Sequence, residues 1–257
     1  MAELPDWTPI EGVLPPSSDG KGRVVGVVAS EEASSAGWAA SAALDLARAW
    51  ADRGQRVILV DAALQRPSLH EALGVANREG LTDAALYGAS VGRISHPVED
   101  GSFFVVTAGA PVADPCTVVR SERFHRIAEG ATEAGALFLM YLRDGETETS
   151  AFLGSASDIV VLARPGDDPP SAVLEMQPLV RAVTGSGQRG ERSVSPSLGA
   201  TPSAAEALPA GRASGAEKRR SPAAPTVEPV GFGRLLILIL AALLAAAGLG
   251  YVLTSVL

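Results

Sequence analysis

Two short stretches of this chain carry residues at spacings suited to phosphate chemistry, and the first lacks the groups that would perform it. Between the apolar run Val24-Val25-Gly26-Val27-Val28-Ala29-Ser30 and an Ala-rich helical stretch from Ala39 to Arg53 lies Ser30-Glu31-Glu32-Ala33-Ser34-Ser35-Ala36-Gly37-Trp38-Ala39-Ala40-Ser41. A buried-type strand, a loop and a helix in that order form the context of a phosphate-binding loop. Such a loop works because glycines let backbone N–H groups wrap the phosphates, a lysine reaches the terminal phosphates, and a Ser or Thr hydroxyl helps to hold magnesium. Here the only glycine is Gly37 and there is no lysine. No Lys or Arg lies between Val24 and Ala47, and the chain's lysines are Lys21 and Lys218, so no shift of register restores the cation. Glu31 and Glu32 are expected to oppose a triphosphate by like-charge repulsion. If the site has been overwritten, Trp38 should pack into the space a phosphate would fill, burying its ring beside Gly37.

The second stretch is the strand Arg56-Val57-Ile58-Leu59-Val60-Asp61, which ends in a carboxylate, followed by Arg66. Asp61 and Arg66 admit two readings. They are remnants of a nucleotide or interface site, or Asp61 caps the following turn and Arg66 pairs with a surface carboxylate. Asp61 alone cannot hold magnesium tightly without phosphate oxygens to share it. The three histidines, His70, His96 and His125, are scattered without ligand spacing, and no metal site is expected. The single Cys116 excludes an internal disulfide, and a buried spectator is the expectation for it.

The elements that position these residues alternate. Ser68 to Leu73 and Leu81 to Tyr87 read as short helices, Phe103-Phe104-Val105-Val106 as a strand and Ser121 to Glu133 as a helix. Leu137 to Leu142 and Asp158 to Ala163 read as strands, and Ser171 to Val183 as a helix bent or interrupted at Pro178. Strands separated by helices of this length imply a mostly parallel α/β sheet with helices on both faces, over residues 21–183. The polar, proline-containing residues 1–20 read as a flexible segment and not as a signal peptide. Residues 184–231 are rich in Ser, Pro, Ala and Gly, which cannot support a core. They read as a disordered linker whose r.m.s. span is roughly 35–40 Å.

Residues 232–257 read as a transmembrane tail anchor. Leu235 to Leu257 is uncharged and strongly apolar, long enough to cross a hydrocarbon core of about 30 Å. Arg212, Lys218, Arg219, Arg220 and Arg234 all precede it, so the positive-inside rule keeps the N-terminal domain in the cytoplasm of a single-pass inner-membrane protein. The formal net charge of −8 excludes nucleic acid as a general partner, because a phosphate-binding surface needs a basic excess.

The run Val60-Asp61-Ala62-Ala63-Leu64-Gln65-Arg66-Pro67-Ser68-Leu69-His70 resembles the second nucleotide-site motif of the bacterial tyrosine autokinases of capsule and exopolysaccharide biosynthesis, relatives of the MinD/ParA group of P-loop ATPases. The similarity continues through Glu79-Gly80-Leu81-Thr82-Asp83, Thr107-Ala108-Gly109, Asp114-Pro115 and Ser121-Glu122-Arg123, and covers roughly 21–173. The resemblance implies a P-loop NTPase-like fold and a nucleotide site at Gly37, Ala39, Ala40, Ser41, Asp61 and Arg66. Carried over residue by residue, the site is degenerate. The phosphate-binding lysine falls on Ala39, its Ser/Thr neighbours on Ala40 and Ser41, the second aspartate of the second motif on Ala63, and the third-motif aspartate on Tyr141. Asp144, three residues on, is the remaining candidate to substitute. The family's tyrosine-rich tail has no counterpart, since the tyrosines are Tyr87, Tyr141 and Tyr251. The Arg-containing helix before the first strand and the last strand of the sheet are also expected to be missing.

These departures imply a protein with no catalytic residues that needs neither ATP nor magnesium. The expectation is a non-catalytic, membrane-tethered pseudo-ATPase or pseudokinase, a regulatory or scaffolding component of exopolysaccharide or capsule assembly with protein partners in that complex. An active tyrosine autokinase or ATPase with an unusual nucleotide site, using ATP and magnesium, is the alternative, as is a MinD/ParA-like positioning factor.

Overall fold

Seven stretches rich in β-branched and apolar residues form one sheet, and the alternation of their side chains divides the core into two layers. The computed structural model describes residues 4–16, 21–98, 102–174, 176 and 179–185. The strands are β1 (Arg23–Ala29), β2 (Arg56–Asp61), β3 (Ser95–Val98), β4 (Phe103–Val106), β5 (Ala136–Arg143), β6 (Asp158–Leu162) and β7 (Val180–Thr184). Their order is β3-β4-β2-β5-β1-β6-β7, parallel throughout except for β3, which pairs antiparallel with β4 at one edge. Between them lie α1 (Glu31–Ser35), α2 (Ala39–Ala51), α3 (Leu69–Leu73), a π-helical turn (Asp83–Tyr87), α4 (Val91–Ile94), α5 (Cys116–Val119), α6 (Glu122–Glu133), α7 (Thr149–Leu153) and α8 (Ser171–Leu174).

β5 occupies the middle, between β2 and β1, and all of it but Arg143 is buried. Its odd members Leu137, Leu139 and Tyr141 pack with Trp50, Leu46 and the rest of α2's apolar stripe. Its even members Phe138, Met140 and Leu142 pack with Phe124 of α6 and Phe152 of α7. This period of two, with helices on either side, is what burial on both faces of a parallel sheet requires. The mostly parallel α/β architecture expected from the alternation is present.

Two expectations are corrected at the β7 edge. The last strand is not missing, and Ser171 to Val183 is not one helix. α8 ends within four residues, and Val180–Thr184 pairs in parallel with β6. Pro178 lacks the N–H that a continuing helix needs, while the alternating Val-Arg-Ala-Val-Thr suits an edge strand. The N-terminal segment is docked along its described residues rather than flexible. The Trp7 indole donates to the Ala163 carbonyl at 3.0 Å and the Thr8 N–H to the Val183 carbonyl at 2.8 Å, extending the β7 edge. A 3₁₀ turn at Ile10–Gly12 follows, and the buried Trp50 indole donates to the Val13 carbonyl at 2.9 Å.

The shared motif around Glu79 to Asp83 has a structural job. The Asp83 carboxylate accepts from the Gly80 and Ala110 N–H groups, and Asn77 accepts from Gly109. A Cβ at Gly80 would stand 2.1 Å from the Thr107 carbonyl oxygen, so only glycine permits this junction. The proposed linker and tail anchor, 184–231 and 232–257, lie outside the described residues apart from Thr184 and Gly185. Among the described residues no helix is long and apolar enough to cross a membrane.

Candidate functional site

The carboxyl ends of β1, β2 and β5 lie side by side, and the register fixes which residues meet there. Ala29 pairs with Arg143, and Asp61 pairs with Tyr141. This is the edge at which open parallel sheets bind ligands.

After β1, Ser30 is buried and its hydroxyl accepts the Ala33 N–H at 3.1 Å. A serine N-cap followed by two acidic residues at the positive end of a helix is a helix start. The result is α1, an element not expected from the sequence. Its hydrogen bonds continue through Ser34 N–H to Ser30, Ala36 N–H to Glu32 and Gly37 N–H to Ser34. A phosphate cradle needs backbone N–H groups free, and here the loop bonds four of them, those of Ala33, Ser34, Ala36 and Gly37, to itself. Gly37, at φ 76° with open space where a Cβ would stand, then turns the chain into α2.

A cavity of about 300 Å³ lies between the start of α2, α3 and β5, at residues to which the sequence resemblance assigns phosphate binding. Gly37, Ala39, Ala40 and Ser41 line it from α2's start, Ser68 from the loop before α3, and Tyr141 and Arg143 from β5. Glu31 and Glu32 are exposed on the first turn of α1 and do not line it, so the repulsion expected of them is not directed into the cavity. Trp38 does not fill it either. Its ring turns toward the ends of β6 and β7, against Gly185, with the Arg164 guanidinium 5.4 Å from its centroid. The apolar and cationic surfaces there hold an indole better than a polar cavity does.

Asp61 is fully buried beneath this cavity. One carboxylate oxygen accepts the Ser68 N–H at 3.0 Å and the Leu69 N–H at 2.9 Å, while the other has no partner. It thereby caps α3, whose own N-cap residue Ser68 makes no side-chain cap. Burial raises its pKa from 3.8 to about 7, against the opposing pull of the Leu69, Ser68 and Ala63 N–H groups and of the Arg143 charge. Next to it, Tyr141 is 1% exposed, its hydroxyl 3.4 Å from Ser68 Oγ. Burial also pushes this phenol above its ordinary range. A neutral phenol therefore stands where the family places a carboxylate. Asp144 is no substitute, because its carboxylate accepts from Ser171 N–H and Oγ, each at 3.0 Å, and so caps α8.

Arg66 turns away from the cavity. Its Nε donates to Glu146 at 3.1 Å, a carboxylate whose side chain is 1% exposed, so the pairing is with a buried acid rather than a surface one. Burial, and then the neighbouring Glu148, raise Glu146 from 4.5 to about 7 despite Arg66. Glu148 accepts from the Gln65 backbone N–H and side-chain amide. Cys116, expected to be a buried spectator, is a free, half-buried thiol 3.9 Å from the Thr147 carbonyl oxygen.

The residue that sequence reasoning missed is Arg143. It brings a cation to a cavity whose own loop has none, with its Nη1 donating to the Arg66 carbonyl at 3.1 Å and its Nε without a partner. It follows the recognised apolar strand directly, and pairing with β1 aims it at the loop.

No protein-family model matches the chain. It is 29% identical over 92 residues to the tyrosine-protein kinase YwqD of Bacillus subtilis, a match covering 36% of this chain and 39% of that protein. The chain thus spans about two-fifths of the length of that relative. Its fold is that of the kinase domain of the Escherichia coli tyrosine kinase ETK, with a TM-score of 0.56 at 19% identity over 68% of this chain and 71% of that one. The chimerical protein CapA2B2 is comparable, with a TM-score of 0.55 at 17% identity over 66% and 77% of the two chains. The resemblance to bacterial tyrosine kinases found in the sequence therefore holds, and with it the P-loop NTPase-like sheet.

Proposed function

We propose that this protein is a non-catalytic relative of the bacterial tyrosine kinases, a membrane-tethered pseudo-ATPase that acts by docking on other components of exopolysaccharide or capsule assembly. The observation that carries the reading is the loop after β1, where the N–H groups of Ala33, Ser34, Ala36 and Gly37 are bonded within the segment 30–37. Phosphoryl transfer depends on positioning and charge compensation. Ala39 supplies no lysine, Ala63 and Tyr141 supply no carboxylates, and Asp61 is occupied in capping α3. The polysaccharide context comes from the sequence resemblance, and the anchor from the apolar run at 235–257.

One observation favours the alternative of an active kinase, namely the guanidinium of Arg143 at the cavity wall. A single cation, with the Glu71 carboxylate on the same cavity wall, gives at most weak anion affinity. Nucleotide affinity decides between the readings. Residues 1–231 should give no ATP-dependent thermal shift with magnesium at millimolar nucleotide. A Kd below about 0.1 mM, roughly −5.5 kcal/mol, would overturn the pseudoenzyme reading. For the tether, the full chain should resist carbonate extraction and a chain lacking 235–257 should not. Digestion of the folded domain by protease added on the periplasmic side would refute the cytoplasmic placement.

A further inference from the structure

On the sheet face opposite α2, the structure leaves a cavity of about 420 Å³ between α6 and the segment from the π-helical turn to α4. Well-packed interiors leave few voids larger than a water molecule. This one exists because its walls carry small residues, with Gly130, Ala131 and Ala134 on α6 facing Ala84, Gly88 and Gly92. Its floor is apolar, formed by Val60, Val106 and Phe138.

The mouth is different in kind. Arg123 and Arg126, on the first two turns of α6, are exposed and border the cavity. Neither guanidinium meets a carboxylate among the described residues. Gly88, in the left-handed region at φ 79°, makes room for one of them: a Cβ there would stand 2.8 Å from Arg123 Nη1. In a chain of net charge −8, two unpaired arginines at the rim of an apolar cavity form a local positive site. Ligand pockets of this size are lined mainly by apolar side chains, with a few polar groups that fix orientation. From Arg123 to Ala134 the α6 wall runs about 16 Å at 1.5 Å per residue, the scale of an acyl chain.

We propose that this cavity binds an amphipathic anion, with an acyl-type chain among the small residues of α6 and the π-helical turn, and a carboxylate or phosphate head held by Arg123 and Arg126. Guanidinium forks suit such heads because they donate two parallel hydrogen bonds. The site shares no lining residue with the cavity at the β1 loop, so it stands or falls independently of the nucleotide reading.

The test uses the full chain in nanodiscs of neutral phosphatidylcholine, with two probes, a palmitate analogue carrying a mid-chain diazirine and the matching fatty alcohol. Photolysis with the acid should label peptides containing 84–94 and 123–134. Arg123→Gln with Arg126→Gln, both on the surface, should lower that labelling about tenfold and change labelling by the alcohol less than twofold. Ala131→Leu, which narrows the cavity, should reduce labelling by both probes in protein whose thermal melt is intact. Competition by palmitate or dodecyl phosphate supports the site, and the stronger competitor identifies the head group. The proposal is overturned by absence of label in those peptides, by equal acid labelling of the double arginine variant, or by inorganic phosphate competing as well as dodecyl phosphate. Protection that follows dimer formation with concentration would assign the groove to a second copy and overturn it equally.

Discussion

The loops that follow β1 and β2 sit side by side at the same edge of the sheet, and they are held in opposite ways. From Ala33 to Gly37 the first loop is bonded locally, through a serine cap and bonds three or four residues apart. Ala62 to Ser68 is satisfied at long range, by Asp61 beneath it, Glu146 and Glu148 across from it, and Arg143 beside it. A loop that bonds itself can change its residues without disturbing its neighbours. A loop held by buried carboxylates keeps them because folding needs them, whether or not any nucleotide does. The presence of Asp61 and Arg66 beside Ala39 is therefore accounted for by their structural roles.

The largest effect should come from Asp61. Asp61→Ala removes the acceptor of the buried Leu69 N–H and the half-buried Ser68 N–H, which costs about 2–4 kcal/mol. Ser30→Ala in the other loop removes one helix cap, about 1 kcal/mol. Urea unfolding of residues 1–231 reads both changes. Equal losses at the two positions would erase the contrast between local and long-range support. Asp61→Asn keeps an acceptor without a titratable group, and should recover most of the loss.

A smaller effect follows from pH. Asp61 and Glu146 are both raised to about 7 in the folded protein, from 3.8 and 4.5. The folded state therefore holds more protons than the unfolded state across that interval, and stability falls as pH rises through it. From pH 5 to pH 8 the domain should lose stability, read as a falling Tm. The combined Asp61→Asn and Glu146→Gln change should flatten this slope. A melting profile that rises over the same range would contradict the burial of both groups.

How much of this was legible in the sequence depends on the range of the interaction. The runs Val24 to Ala29, Leu137 to Leu142 and Asp158 to Ala163 declare buried strands by composition, and the resemblance to tyrosine kinases rests on local motifs. Val180–Thr184 was obscured because Arg181 interrupts a short apolar run that also suits a helix. The docking of residues 4–16 had no pattern to read, since it depends on single indoles, Trp7 and Trp50, reaching distant carbonyls. α1 did leave a signal in Ser30-Glu31-Glu32, a cap followed by acids, hidden by the expectation of an open phosphate loop. Arg143 was invisible as a site residue because only the pairing of β5 with β1 brings it there.

The finest test of the comparison asks whether the self-bonded loop can be returned to its former chemistry. Ala39→Lys with Ala40→Ser restores the family's cation and hydroxyl at positions that line the cavity. The new lysine enters beside Arg143, a like charge that opposes its ionisation. The backbone N–H groups of Ala33, Ser34, Ala36 and Gly37 stay bonded within the segment 30–37, so a bound phosphate lacks those four donors. Tyr141 remains a neutral phenol and Asp61 remains the cap of α3, leaving magnesium without its protein ligands. The double variant should therefore bind ATP weakly at most, and a phosphate-release assay should find no hydrolysis above the parent chain. Adding Ser30→Ala, which removes the cap of α1, should free part of the loop and strengthen ATP binding over the double variant. Turnover from Ala39→Lys and Ala40→Ser alone would mean that the loop opens readily around nucleotide, and that the division between a locally bonded loop and a structurally anchored one does not govern nucleotide chemistry here.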